Sequence, residues 1–222
     1  MRVLENLQPE RVFYYFEEIA KIPHGSGNTK QISDYLASFA KEQNLEYYQD
    51  EINNVIMIKE ATEGYETAEP VIIQGHMDMV CEKESDCNID FEKDGLDLYV
   101  EDGFVKARGT TLGGDDGIAV AYGLALMEAT DIAHPRLELV ITVDEETGMD
   151  GAYGIDLSML KGKKMLNIDS DEEGIFLTSC AGGTGVEASI PVSRITEEGI
   201  VVDVKVDGLF GGHSGAEIHK ER

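Results

Sequence analysis

The sequence predicts an α/β fold, a sheet with helices on both of its faces. Three observations carry that prediction. Apolar residues recur now at helical spacing and now as short runs of strand length. The two kinds of segment alternate along the chain, the order that builds a layered α/β domain. Acid-rich stretches sit where strands end, and in such sheets ligands gather outside the carboxyl ends of the strands.

The elements follow in order. Residues 9–22, "PERVFYYFEEIAKI", place Val12, Phe13, Phe16, Ile19 and Ala20 on one helical face, with Pro9 near the start. "HGSGN" interrupts the pattern. Residues 29–43 restore it with Ile32, Tyr35, Leu36 and Phe39. Two short strands, "LEYYQ" and "NVIMIKE", precede the acidic loop "ATEGYETAEP". The strand "VIIQGHMD" begins at Val71. "LDLYV", "EDG" and "FVKAR" read as a hairpin. The loop "GTTLGGDDG" leads into the helix "IAVAYGLALMEA". A further strand, "RLELVITV", runs into "DEETGMDGA", and "KKMLNID" runs into "DSDEEG". Residues 185–207 read as two more strands, followed by "FGGHSGAEIHKER".

Composition narrows the function classes. The chain has 222 residues, 42% of them hydrophobic, enough for a full core. Its formal net charge is −26, a field that repels phosphate backbones and anionic lipid and attracts cations. The expectation is no nucleic acid and no membrane as partners, and a preference for metal ions and free amino groups. Three cysteines, Cys81, Cys87 and Cys180, are too few for a disulfide framework and point to a reducing, cytoplasmic setting. The opening residues read as a helix and not as a signal peptide.

The chemistry lies in "VIIQGHMDMVCEK". Residues two apart on an extended chain share a side, so His76 and Asp78 face the same way. His76 is placed to bind a metal while Asp78 fixes its tautomer. "GGDDG" adds Asp115 or Asp116. Glu145 and Glu146 point in different directions, so one can ligate while the other faces a substrate. Asp169 ends the next strand. Each piece alone has an ordinary reading: a hydrogen-bonded pair, a turn, a solvated glutamate. Together they form an acidic cluster that repels itself unless a cation neutralises it. One histidine with several carboxylates suits zinc, manganese or cobalt rather than a closed structural zinc site.

Other motifs fail. "DSDEEG" begins like a calcium loop, but Cys180 stands where the bidentate glutamate belongs. "GHSGA" lacks the second glycine of a nucleophile elbow. "GTGVEA" is followed by no helix, so it is no dinucleotide fingerprint. His24 and His134 read as ordinary loop histidines.

"GHMDMVCEK", "GTTLGGDDGIAVA", "TVDEETGMDGA", "LNIDSDEEG" and "GGHSGAEIHKER" together resemble the aminoacyl-histidine dipeptidases, the PepD-type branch of the M20 metallopeptidases. The resemblance implies a zinc-peptidase-like catalytic domain with a mixed central sheet over residues 1–184. It implies the start of a second α+β lid domain over 185–222. It implies two divalent metal ions, zinc first, with manganese or cobalt as alternatives. His76 and Asp169 would ligate the first metal, Glu146 the second, and Asp115 would bridge both. Asp78 would support His76. Glu145 would be the general base that activates water against an Xaa-His dipeptide. His213 would bind substrate from the lid, in a full-length homodimer. The family pattern also implies a cis peptide between Asp115 and Asp116. Family members are considerably longer, so the expectation is an N-terminal portion, inactive alone and lacking one metal-binding histidine. The alternatives are another M20 peptidase or amidohydrolase, such as a tripeptidase or deacylase, and a non-catalytic metal-binding module.

Overall fold

The computed structural model describes residues 2–170, 173–179 and 186–208. The chain divides into two compact units, Met1–Asp171 and Glu172–Arg222.

The first unit holds every helix and strand among the described residues. Helix α1 (Glu10–Ile19) starts directly after Pro9, whose missing N–H costs nothing at a helix start. It buries Val12, Tyr15, Phe16 and Ile19 as one stripe. Helix α2 (Lys30–Glu42) buries Ile32, Leu36, Phe39 and Ala40 in the same manner. Strands β1 (Glu46–Gln49) and β2 (Val55–Lys59) form an antiparallel pair. Strand β3 (Val71–His76) follows, then the separate hairpin β4 (Leu98–Glu101) and β5 (Phe104–Ala107). Helix α3 (Gly114–Glu128) leads to β6 (Leu137–Thr142). Two short helices, α4 (Glu145–Gly148) and α5 (Asp150–Gly154), precede β7 (Lys164–Asn167).

The main sheet is mixed, in the order β1-β2-β6-β3-β7. Strand β2 runs antiparallel to β6, while β3 lies parallel to both β6 and β7. Alternation along the strands divides the core. Val55, Met57, Ile73, Leu139 and Ile141 pack with α1, α2 and α3. Ile56, Ile58 and Val140 face the other way, against Ile72, Ile155, Met159 and Leu160. Helix α3 touches both α1 and the sheet, which is why its sequence is apolar on most sides. Its approach to β6 requires Gly123, where a Cβ would lie 2.5 Å from a methyl of Leu139.

One charged group penetrates this sheet. Glu138, fully buried in β6, accepts Arg136 Nε–H at 2.8 Å. It also accepts the backbone N–H groups of Lys161 and Gly162, both at 2.9 Å, and so fixes the loop that enters β7.

In the second unit, no strand forms among the described residues 186–208, although the sequence predicts two over 185–207. Val186, Ile190, Val192, Ile200, Val202 and Val204 are exposed there. A strand is held by cross-strand bonds and side-chain pairs, and no described residue of this unit supplies them.

Candidate metal centre

The parallel register brings three strand ends to one edge. His76 of β3 stands level with Thr142 of β6, and Gln74 with Asn167 of β7. The loops leaving these strands therefore start side by side. They carry Asp78, then Asp144–Glu146, then Asp169. The fourth contribution comes from the beginning of α3, where Asp115 and Asp116 depart from helical backbone angles and are joined by a cis peptide. The true helix begins after them. Gly75 makes room for this approach, since a Cβ there would lie 2.6 Å from Asp116 Oδ2.

His76 is the centre of the cluster and is 1% exposed. Its Nδ1–H donates to the Asp78 backbone carbonyl at 2.9 Å, and the Asp78 carboxylate lies slightly further away, at 3.3 Å. With Nδ1 so occupied, Nε2 is left to face the acids. Asp115 Oδ1 is 3.0 Å from Nε2, Asp169 Oδ2 3.9 Å and Glu145 Oε2 4.0 Å. Two sets of ligand atoms lie within 4.8 Å of one another: His76, Asp116 and Asp169 in one, and His76, Asp115 and Glu146 in the other. A single ring nitrogen binds one ion, so a second ion in this cluster would rest on carboxylates.

Asp78 organises the surrounding backbone. Its carboxylate accepts Ser26 Oγ–H at 2.8 Å, Glu145 N–H at 3.2 Å and Glu146 N–H at 3.4 Å. The buried side chain of Asn54 holds the same turn from below. Its Oδ1 accepts Val143 N–H at 3.1 Å, and its Nδ2 donates to the Gly151 carbonyl at 3.0 Å. Asp116 is likewise buried, and its Oδ2 accepts His76 N–H at 3.2 Å.

The electrostatics are those of a cluster short of positive charge. Burial opposes a charged His76 ring, but Asp78, Asp116 and Asp169 outweigh it and push the pKa up to about 10. Burial raises Asp116 to about 7, assisted by Asp169 and Asp115 and opposed by His76. Burial also raises Glu145 and Glu146, with Asp115 adding to each. Asp78 moves the other way: burial works against its charge, but the bonds from His76 and Ser26 hold it below the usual carboxylate range. Positive charge brought among these carboxylates would relieve their mutual repulsion.

Of the residues singled out in the sequence, His76, Asp78, Asp115, Glu145, Glu146 and Asp169 lie together here. His213 falls outside the described residues. Sequence reasoning left Asp115 and Asp116 as alternatives, and both enter the cluster. It passed over Ser26, Asn54 and Asp144. The only signal for Ser26 was its position in the glycine-rich break "HGSGN". His24 and His134 are buried and donate Nδ1–H to the carbonyls of Ile22 and Pro135, at 2.6 Å and 2.7 Å. Neither ring belongs to the two sets of ligand atoms among the described residues.

Residues 72–220 match the family model described as peptidase family M20/M25/M40. The chain belongs to this family. It is 38% identical over 221 residues to the cytosol non-specific dipeptidase of Escherichia coli K12, covering 99% of this chain and 46% of that protein. The crystal structure of aminoacylhistidine dipeptidase from Vibrio alginolyticus superposes with a TM-score of 0.75 at 38% identity, covering 77% of this chain and 35% of that one. A tripeptidase structure from Staphylococcus aureus shares the fold, with a TM-score of 0.61 at 24% identity over 73% of this chain and 43% of that one. This M20 chain thus spans about half the length of the curated relative or less. No helix among the described residues is long and apolar enough to cross a membrane.

Proposed function

We propose that the whole protein is a metal-dependent dipeptidase, with Xaa-His dipeptides among its substrates. The observation that carries this reading is the meeting of His76 Nε2 with carboxylates from three separate loops, beside a glutamate that belongs to neither ligand set. The family membership and the two 38% relatives, both named as dipeptidases, support it. We assign residues 1–184 to the catalytic domain and 185–222 to the start of a lid.

His76, Asp115, Asp116, Glu146 and Asp169 would hold the ions, zinc first, with manganese or cobalt as alternatives. When bound, such an ion would supply Lewis-acid chemistry, a more acidic water and a polarised carbonyl. Asp78 keeps His76 in the tautomer that exposes Nε2 and holds the backbone of Glu145 and Glu146. Glu145 takes a proton from the attacking water and passes it to the leaving amine, a task suited to a carboxylate whose pKa burial has raised. His213 would bind substrate.

A substrate panel on the full-length protein tests the reading. Xaa-His and other dipeptides should turn over in the presence of zinc, manganese or cobalt and not after chelation. Turnover of N-acyl amino acids or tripeptides without dipeptides would overturn it.

A further inference from the structure

The segment 24–27, "HGSG", takes no part in the reaction outlined above. It nevertheless touches two of the loops that build the centre. Its backbone runs beside residues 77–79: Met79 N–H donates to the His24 carbonyl at 3.2 Å, Ser26 N–H donates to the Met79 carbonyl at 3.3 Å, and Gly25 and Met79 form a parallel bridge. At Gly25 a Cβ would lie 2.5 Å from Cys81 Sγ, so any side chain there would displace the thiol. Ser26 Oγ–H then donates to Asp78 Oδ2 at 2.8 Å. The next residue, Gly27, has φ +80 and turns its N–H onto Asp144 Oδ1 at 2.7 Å. Asp144 itself sits in the left-handed region, at φ 55, immediately before Glu145. A non-glycine residue is uncommon there and is held by what surrounds it.

We propose that residues 24–27 are a strap that sets the metal centre, with Ser26 as its positioning residue. The proposal rests on reading the cluster as metal-binding. Asp78 has three donors besides the His76 ring: Ser26 Oγ and the backbone N–H groups of Glu145 and Glu146. Ser26 makes the shortest of these three bonds and is the only side chain among them. Its hydroxyl fixes the rotation of the carboxylate, and that rotation decides whether the other oxygen meets Glu145 N–H. Gly27 clamps the same turn one residue earlier through Asp144. One short loop between α1 and α2 thus ties the His76 loop to the Glu145–Glu146 turn. Asp144 and Ser26 act through Gly27 and Asp78 and are positioning residues.

The test compares Ser26→Ala, Ser26→Thr, Asp144→Ala and a control, Ser33→Ala. Ser33 is a buried serine whose hydroxyl donates to the Asn53 carbonyl at 2.8 Å and accepts Gln49 Nε2–H at 2.7 Å, with no bond to a residue of the cluster. Each protein is titrated with cobalt(II) and followed by its visible absorption. Backbone amide exchange at Gly27, Glu145 and Glu146 is measured without metal. Ser26→Ala should weaken cobalt binding by about tenfold, the low end for the loss of an outer-shell partner, and change the spectrum. Ser26→Thr should restore both. Asp144→Ala should behave like Ser26→Ala, and exchange at all three amides should quicken in both. Ser33→Ala should lower thermal stability and leave the cobalt spectrum unchanged. A Ser26→Ala protein with wild-type cobalt affinity, spectrum and exchange would overturn the strap, as would a threonine variant that restores nothing. Wild-type protein that takes up no cobalt would remove the metal reading, and the exchange measurement alone would then decide the strap.

Discussion

Replacing Glu145 by glutamine isolates proton transfer from everything else the residue does. The side chain belongs to neither set of ligand atoms, and its Oε2 stands 4.0 Å from His76 Nε2. Its backbone N–H bond to Asp78 survives the exchange, so the turn that carries Glu146 keeps its anchor. Glutamine has nearly the same volume and cannot accept the proton. The expected loss is therefore that of general acid–base catalysis, about 10²–10⁴-fold in kcat. At about 1.4 kcal/mol per decade this is a loss of roughly 3–5 kcal/mol of transition-state stabilisation. The assay is steady-state hydrolysis of a dipeptide by the full-length protein, alongside metal content by mass spectrometry. Metal content should match wild type while kcat falls. Near-normal turnover would refute the assignment of the base. Loss of metal in step with activity would refute it differently, by making Glu145 a ligand.

Three further predictions follow from the same geometry. His76→Ala should weaken metal uptake first and activity as a consequence, because the cluster loses its one nitrogen ligand; calorimetric titration with zinc that matches wild type would contradict this. Glu138→Ala should destabilise the fold by about 1–3 kcal/mol in urea unfolding, since Arg136 keeps Glu60 but the Lys161 and Gly162 amides lose their acceptor. Burial opposes the Glu138 charge, but Arg136 and the Gly162 and Lys161 amides lower its pKa in the folded state. A lowered folded pKa contributes stability above the unfolded value of about 4.3, and that contribution is lost as pH falls through the folded pKa. The gap between wild type and Glu138→Gln should therefore be constant at neutral pH and close in acid. Gly123→Ala should cost about 1–3 kcal/mol by overpacking against Leu139, measured by the shift in the urea midpoint.

Much of this molecule is written locally. The apolar stripes of α1 and α2 fold as read because each turn of helix brings the same face back to the core. The runs "VIIQGH" and "LELVIT" form strands for the matching reason, and the acids that follow them mark the functional edge in the sequence itself. The five ordered motifs carried the family, and with it the cis peptide that joins Asp115 to Asp116. Local pattern misled at 186–208, where apolar alternation reads as strand and none forms among the described residues. A strand, unlike a helix, takes its hydrogen bonds from another segment, so its sequence states a capacity and the partner decides.

What the sequence determined is the list of groups: one histidine, several carboxylates, and their place at strand ends. Tertiary structure decided which of them meet. The β3-β6-β7 register lines up loops separated by tens of residues, and it alone brings Asp169 within 3.9 Å of His76. The packing of α3 against Gly75 turned two alternative aspartates into neighbours of the same imidazole. Ser26 and Asp144 acquired partners that nothing near them in sequence announced. Helical and strand periodicity acts between residues a few positions apart, whereas a hydrogen bond across 52 residues exists only once the sheet has set its strands in register.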